Sequence, residues 1–285
     1  MVISRGFQPD HQRHRRETMP AARQERQDLI TWAGHQAVLL VDYLGNMALF
    51  LLEAGRTLAH PPWFVRETIL QMYHLGVKSL PLVLVAAFAL GMVLAMQGLK
   101  VLSWFGAGNY IATLVGLAVT RELGPIIAGV MLAARGGAGM GAELGSMRVT
   151  SQIDALTVCA VNPLKYLVVT RILACMLTLP LLTVFADLIG ILGGLVIGVS
   201  QAGMTVSSYY YLTLKYLKLR DILPGVAKTV VFGLIVGTVG CFHGYFTRHG
   251  TFGVGQATKT AVVVAILFIL ISDVFLTKLT LLFWG

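Results

Sequence analysis

Residues 80–99 carry no charge at all and are bracketed by Lys78 and Lys100. A run of about 20 apolar residues is what an α-helix needs to cross ~30 Å of hydrocarbon. There every backbone N–H and C=O must find its partner within the segment, so a helix is the only fold open to it. Four more stretches have the same character: 111–134, a span within 167–199, about 226–246 and about 261–282. Charged residues make up only 12% of the 285-residue chain and hydrophobic ones 56%. A soluble fold of this size could not cover its surface with so little charge, and disorder, a fibre or a disulfide-stapled secreted domain are excluded as well. The class is an all-α polytopic membrane protein.

The net charge of +9 would suggest nucleic acid in a soluble protein. Here the basic residues border apolar spans, where Lys and Arg mark cytoplasmic ends and meet anionic headgroups, so no nucleic-acid partner is expected. Residues 1–29 alternate Arg, His, Glu and Gln without an apolar core and read as a flexible basic cytoplasmic leader. Residues 30–79 read as interfacial and elbow helices: 37–52 is apolar but short for a span, and 63–79 is amphipathic. Five spans with a cytoplasmic N-terminus put the C-terminus outside; six would follow if 37–52 crosses. Residues 201–224 read as a loop whose Tyr209, Tyr210, Tyr211 and Tyr216 suit an interface belt. Gly190, Gly194 and Gly198, then Gly233 with Gly237 and Gly240 with Gly244, recur at the four-residue spacing that lets helices approach closely in lipid. The scattered Cys159, Cys175 and Cys241 read as buried small hydrophobes.

Arg121 and Glu122 are the most informative pair. A charge at mid-bilayer costs at least a few kcal/mol, so it is rarely present without a use. Adjacent helical residues point about 100° apart, so each must find a partner on another helix, in a second subunit or in a polar cavity. Pro125 frees the carbonyl of Arg121 from its helical bond. Asp187, Lys228 and Asp273 are the other charges at membrane depth, and Lys228 could answer Glu122 or Asp273 across the bundle. The pair reads equally as a polar substrate site or as a structural ion-pair set. The run 136–141, rich in glycine, follows a membrane helix and lacks a GK[ST], so it is no phosphate loop; it is expected to release the chain from the membrane. Residues 142–158 then read as one short amphipathic helix, fit to dock on a soluble partner or to lie on the membrane, and stopped by Asn162-Pro163. No catalytic or metal-binding constellation is present in the sequence.

The run FVRETILQMYHLGVKSLP leads into GMVLAMQG and then TRELGPIIAGVMLAARGGAGMGAELGSMRVTSQIDALTVCAVNPLKY. These blocks resemble the MlaE/YrbE family, the permease subunits of MCE-type lipid ABC transporters, from about Leu58 to the C-terminus. The resemblance implies a permease homodimer in the bacterial inner membrane, with an elbow helix and five spans per subunit in a domain covering 80–285. It implies a cytoplasmic ATPase that binds ATP and Mg, a periplasmic MCE-domain protein, in many complexes a small STAS-domain protein, and phospholipid as cargo. By the same resemblance Glu143, Gly145, Met147, Arg148, Gln152, Asp154 and Leu156 lie on the coupling helix between the second and third spans. Arg121 and Glu122 would line or brace the lipid cavity, with Lys228 beside them, and Leu94, Gln97, Val101 and Phe105 would border it. No cofactor or metal is expected in this chain itself. The competing readings are an ion-coupled secondary transporter or channel using Glu122, Asp187 and Asp273, a membrane enzyme, and a structural scaffold.

Overall fold

The computed structural model describes the backbone of residues 21–58, 61, 64–248 and 250–284, and side chains between 34 and 282. Residues 1–20 of the expected leader lie outside it. The chain divides into two units, Met1–Phe50 and Leu51–Gly285. Helix α1 (Ala21–Leu58) begins inside the segment read as a flexible leader, a correction that follows from the strong helix formers Ala21, Ala22, Arg23, Gln24 and Glu25.

The second unit continues with α2 (Val65–Met72), a π turn at Tyr73–Val77 and α3 (Leu80–Trp104). Next comes a helical run of 42 residues, Gly108–Val149. It contains α4 (Ile111–Ala118), α5 (Gly124–Leu132) and α6 (Ala138–Val149), joined by π turns at Val119–Leu123 and Ala133–Gly137. The short α7 (Gln152–Val158) follows, and π-helical Leu164–Val169 opens α8 (Thr170–Ser200). The chain closes with α9 (Val206–Tyr216), α10 (Leu219–Tyr245) and α11 (Gly250–Trp284). Six helical runs among the described residues are long and apolar enough to cross a membrane, one more than the five expected. The sixth is Gly34–Leu58. Asp42, Asn46 and Glu53 interrupt its apolar stretch in the sequence, but the helix runs straight through them.

Backbone-to-backbone approach holds the second unit together, as expected where lipid offers no hydrophobic drive between helices. A Cβ on Gly91 would run into the carbonyl oxygen of Gly190, so α3 and α8 touch main chain to main chain. On α10, a Cβ at Gly233 would lie 2.6 Å from the Cys175 carbonyl oxygen, and one at Gly237 2.8 Å from Ile172 Cα. The small-residue stripes therefore serve packing within this chain. The glycine-rich run is corrected: instead of releasing the chain it stays helical, and Gly141 brings α6 against Thr258 of α11.

Three other expectations change. The segment read as a tyrosine loop is a helical hairpin, in which α9 folds back along α4 and α8. Tyr209 is buried in that core beside Val115 and Ile197, and its hydroxyl donates to the Ile191 carbonyl at 3.2 Å. Burial pushes its phenol ionisation upward, so it stays a neutral donor. The helix read over 142–158 breaks at Thr150–Ser151, where Ser151 adopts a left-handed φ of 57° and turns α7 away from the long run. Asn162-Pro163 starts the next helix instead of stopping the last, because the Asn162 side chain accepts from the Lys165 N–H at 3.3 Å. Cys159 is exposed, whereas Cys175 and Cys241 are buried.

Replacing Gly91 by Ala forces the α3–α8 seam apart and is expected to lower the thermal midpoint in detergent by about 2–6 °C. Gly139, whose Cβ would meet nothing within 4 Å, is the matched control. Gly139→Ala should leave the midpoint unchanged or raise it, as read by intrinsic fluorescence during heating.

Candidate functional site

The site starts from a defect in a helix. Pro125 has no N–H to give the Arg121 carbonyl, and the Gly124 N–H reaches back five residues to Val119 O, which makes the π turn Val119–Leu123. The extra residue in that turn swings Arg121 and Glu122 toward α10 and α11. The carbonyl that Pro125 leaves open accepts instead from Lys228 Nζ at 3.4 Å. Gly225 permits the approach, since a Cβ there would collide with the Thr120 carbonyl oxygen.

Lys228 sits at the centre and is 4% exposed. Its ammonium donates to both oxygens of Glu122, at 2.9 and 2.8 Å, to Asp273 Oδ1 at 3.3 Å and to Thr277 Oγ1 at 2.6 Å. Thr277 also donates to Glu122. Three helical runs thus meet on one cation. Arg121 points the other way and forms a forked pair with Asp221, Nε lying 3.0 Å from Oδ1 and the terminal nitrogen closer still. Asp221 Oδ2 accepts in turn from the Lys218 backbone N–H at 3.0 Å, capping α10. The two residues singled out in the sequence do not pair with each other, and each has its partner on another helix, as their angular separation requires.

These groups wall a recess of about 290 Å³ that also takes in Lys218 and Arg220. Four cations (Arg121, Lys218, Arg220, Lys228) face two carboxylates (Glu122, Asp221) there, so the recess is net positive. A second recess of about 310 Å³, almost wholly apolar, shares Pro224, Lys228 and Thr280 with it. A cationic mouth next to an apolar trough fits an amphiphile with an anionic head. Leu94, Gln97, Val101 and Phe105 lie on α3 or at its end and line neither recess. Leu94 packs at the edge of the core around Tyr209, while Val101 and Phe105 are exposed. Asp187 is buried against Gly124, and among the described residues neither of its oxygens has a hydrogen-bond partner.

The second predicted set spreads over α6 and α7. Glu143 bonds Arg171 at 2.9 Å, the arginine being buried and also donating to the Leu167 carbonyl. Gly145 is buried against Thr247 and Val254, where it brings α6 close to the start of α11. Arg148 bridges the break to Asp154 at 2.7 Å, with both side chains well exposed. Ile153 anchors α7, leaving Gln152 and Asp154 to solvent and Leu156 half-buried. Asp221, Thr277 and Arg220 were missed in the sequence. The only signal was an acidic residue three places after Lys218 at the start of an apolar run, one hundred residues from its partner.

Removing Lys228 leaves two facing carboxylates, Glu122 and Asp273, without their shared cation. Lys228→Met should therefore cost about 3–5 kcal/mol, more than either Glu122→Gln or Asp273→Asn. Thermal melts of the three variants in one detergent give the order, and a Lys228→Met protein as stable as its neighbours would contradict the arrangement.

With the site's geometry in place, comparison with known proteins gives its kin. Residues 68–279, which include the whole charged set, match the family model for the permease MlaE. A probable ABC transporter permease protein of Rickettsia bellii is 40% identical over 246 residues, 86% of this chain and 95% of that one. The intermembrane phospholipid transport system permease protein MlaE of Haemophilus influenzae is 34% identical over 257 residues, 88% and 97% of the two chains. A chloroplastic protein of Arabidopsis thaliana, trigalactosyldiacylglycerol 1, is 32% identical over 213 residues, 75% of this chain and 61% of that protein. A polytopic helical chain built around this network, and alike over nearly its full length to such permeases, belongs to the MlaE permease family.

Proposed function

We propose that this chain is the membrane subunit of an ABC transporter that moves phospholipid between a bacterial inner membrane and a periplasmic MCE-domain channel. The observation that carries the reading is the net-positive recess at Arg121, Lys218 and Arg220, open beside an apolar trough. The recess suits a phosphate head and the trough acyl chains. In a homodimer, Leu94, Gln97, Val101 and Phe105 would border the same space. ATP and Mg act in a partner ATPase, to which a STAS-domain protein would add, and closure of that ATPase is passed to the bundle through α6 and α7. Two features favour this route. The exposed Arg148–Asp154 pair and α7 form a knuckle at the end of the long run Gly108–Val149. Glu143, one turn before Arg148, is tied to buried Arg171 at the start of α8, so a push on the knuckle reaches two spans.

The ion-coupled alternative fits less well. The ammonium of Lys228 already occupies the place between Glu122 and Asp273 where a coupling cation would sit, and Asp187 makes no hydrogen bond to either.

Two experiments bear on the reading. Arg121→Gln with Arg220→Gln should reduce phospholipid co-purifying with the assembled transporter about fivefold or more while leaving ATPase binding intact; unchanged lipid would reject the recess as the headgroup site. Met147→Glu with Asp154→Lys should abolish recovery of the ATPase. Losing the Arg148–Asp154 pair should itself cost less than about 1 kcal/mol, because that pair is exposed. Full ATPase recovery would reject the knuckle as the docking element.

A further inference from the structure

Toward the other end of the long run lies a recess to which the transport reading assigns no ligand. It measures about 540 Å³ and opens between α2 with its π turn, the start of α3, and the junction of α5 with α6. Arg135 and Arg121 share the Gly108–Val149 run, 14 residues and so about 21 Å apart along the axis. One headgroup cannot touch both.

The charge balance of this recess is specific. Its one carboxylate, Glu143, is already paired at 2.9 Å with Arg171, which is buried. Arg135 donates to the hydroxyl of Ser79 at 3.2 Å and among the described residues has no carboxylate partner. Ser79 is wholly buried, so this hydroxyl is a fixed part of the fold and no surface accident. Lys78, on the neighbouring turn, lies with Nζ 2.9 Å from His74 Nδ1. The recess therefore offers one guanidinium, an imidazole and a nearby ammonium, against a carboxylate that a buried arginine neutralises. Leu75 and Met140 give it an apolar wall.

We propose that this recess is a second phosphate site, with Arg135 as the main partner and the phosphate carried by the headgroup of a membrane lipid. Arginine suits the role because its planar fork binds two phosphate oxygens at once. The apolar wall favours a phosphate that arrives with an acyl chain over a free anion. The assignment rests on local geometry and holds whether or not the Arg121 recess carries transported lipid.

The test reports occupancy directly. Gly139 lines the recess, and a Cβ there meets nothing within 4 Å, so Gly139→Cys places a thiol at the site. Cys159→Ser removes the one exposed native thiol, Cys175 and Cys241 being buried. The rate of maleimide labelling of the purified full chain in detergent is then measured with dihexanoylphosphatidylglycerol, with dihexanoylglycerol, which lacks the phosphate, and with inorganic phosphate. The phospholipid is expected to slow labelling about fivefold or more, and the other two to leave it unchanged. Arg135→Gln should abolish the protection, Arg135→Lys should retain part of it, and Arg121→Gln should leave it whole. Equal protection by dihexanoylglycerol, or protection that survives Arg135→Gln, overturns the phosphate site. Protection by inorganic phosphate at the same concentration overturns the lipid source and leaves a free-phosphate site. The three-probe comparison needs no Arg135 variant, so it stands even if Arg135→Gln fails to fold.

Discussion

A single buried ammonium organises this membrane domain. Lys228 holds Glu122, Asp273 and Thr277 from two other helical runs and takes up the carbonyl that Pro125 leaves without a helical donor. Lys228 and Asp273 are almost cut off from water, at 4% and 11% side-chain exposure, so each of these groups fixes the position of the others. The arrangement also dictates the backbone around it. The π turn at Val119–Leu123 brings the charges to bear, and Gly225 lets α10 come close enough to answer them. The irregular backbone lies where it lines a polar recess, which is the one circumstance in which a membrane interior tolerates it.

Away from that centre the helices are held by proximity of main chains. Gly91 on Gly190, Gly233 on Cys175 and Gly141 on Thr258 set the spacing of α3, α8, α10, α6 and α11. Close backbone contact takes the place of a hydrophobic drive that lipid does not supply. Together the two devices explain how a chain with so little charge can concentrate it. The seams need only small residues, which leaves Arg121, Glu122, Asp221, Lys228 and Asp273 free to gather where the turn between α4 and α5 meets α10 and α11. The long run Gly108–Val149 spans both halves of this design, with Arg121 in one recess and Arg135 in another.

Much of this was legible in the residues. The uncharged run 80–99 could be nothing but a membrane helix, and the misfit of Arg121, Glu122 and Lys228 with their apolar surroundings marked the polar centre. The four-residue glycine spacing marked the seams. What misled was local chemistry with more than one outcome. Glycines at 136–141 permit a break but equally permit close packing, and α11 was near enough to settle the matter. Ser151 turns the chain within a pattern whose apolar periodicity runs on unbroken, so one amphipathic helix was read where two exist. Tyr209 resembled its exposed neighbours until α9 folded back and buried it. Asp221 escaped notice because nothing near it in sequence needs it.

The sequence by itself determined the class, the apolar cores of five spans, the charges that mark the polar centre, and the family through its RELGP and AELGSMR blocks. These follow from the cost of polar groups in hydrocarbon and from residue spacing, both local quantities. Only the tertiary structure decided who pairs with whom. Arg121 and Asp221 are one hundred residues apart, and Lys228 chooses Glu122 and Asp273 together. Side-chain partners across a bundle depend on helix rotation and crossing, which the glycine contacts and the π turns set jointly, and no single stretch of sequence contains both.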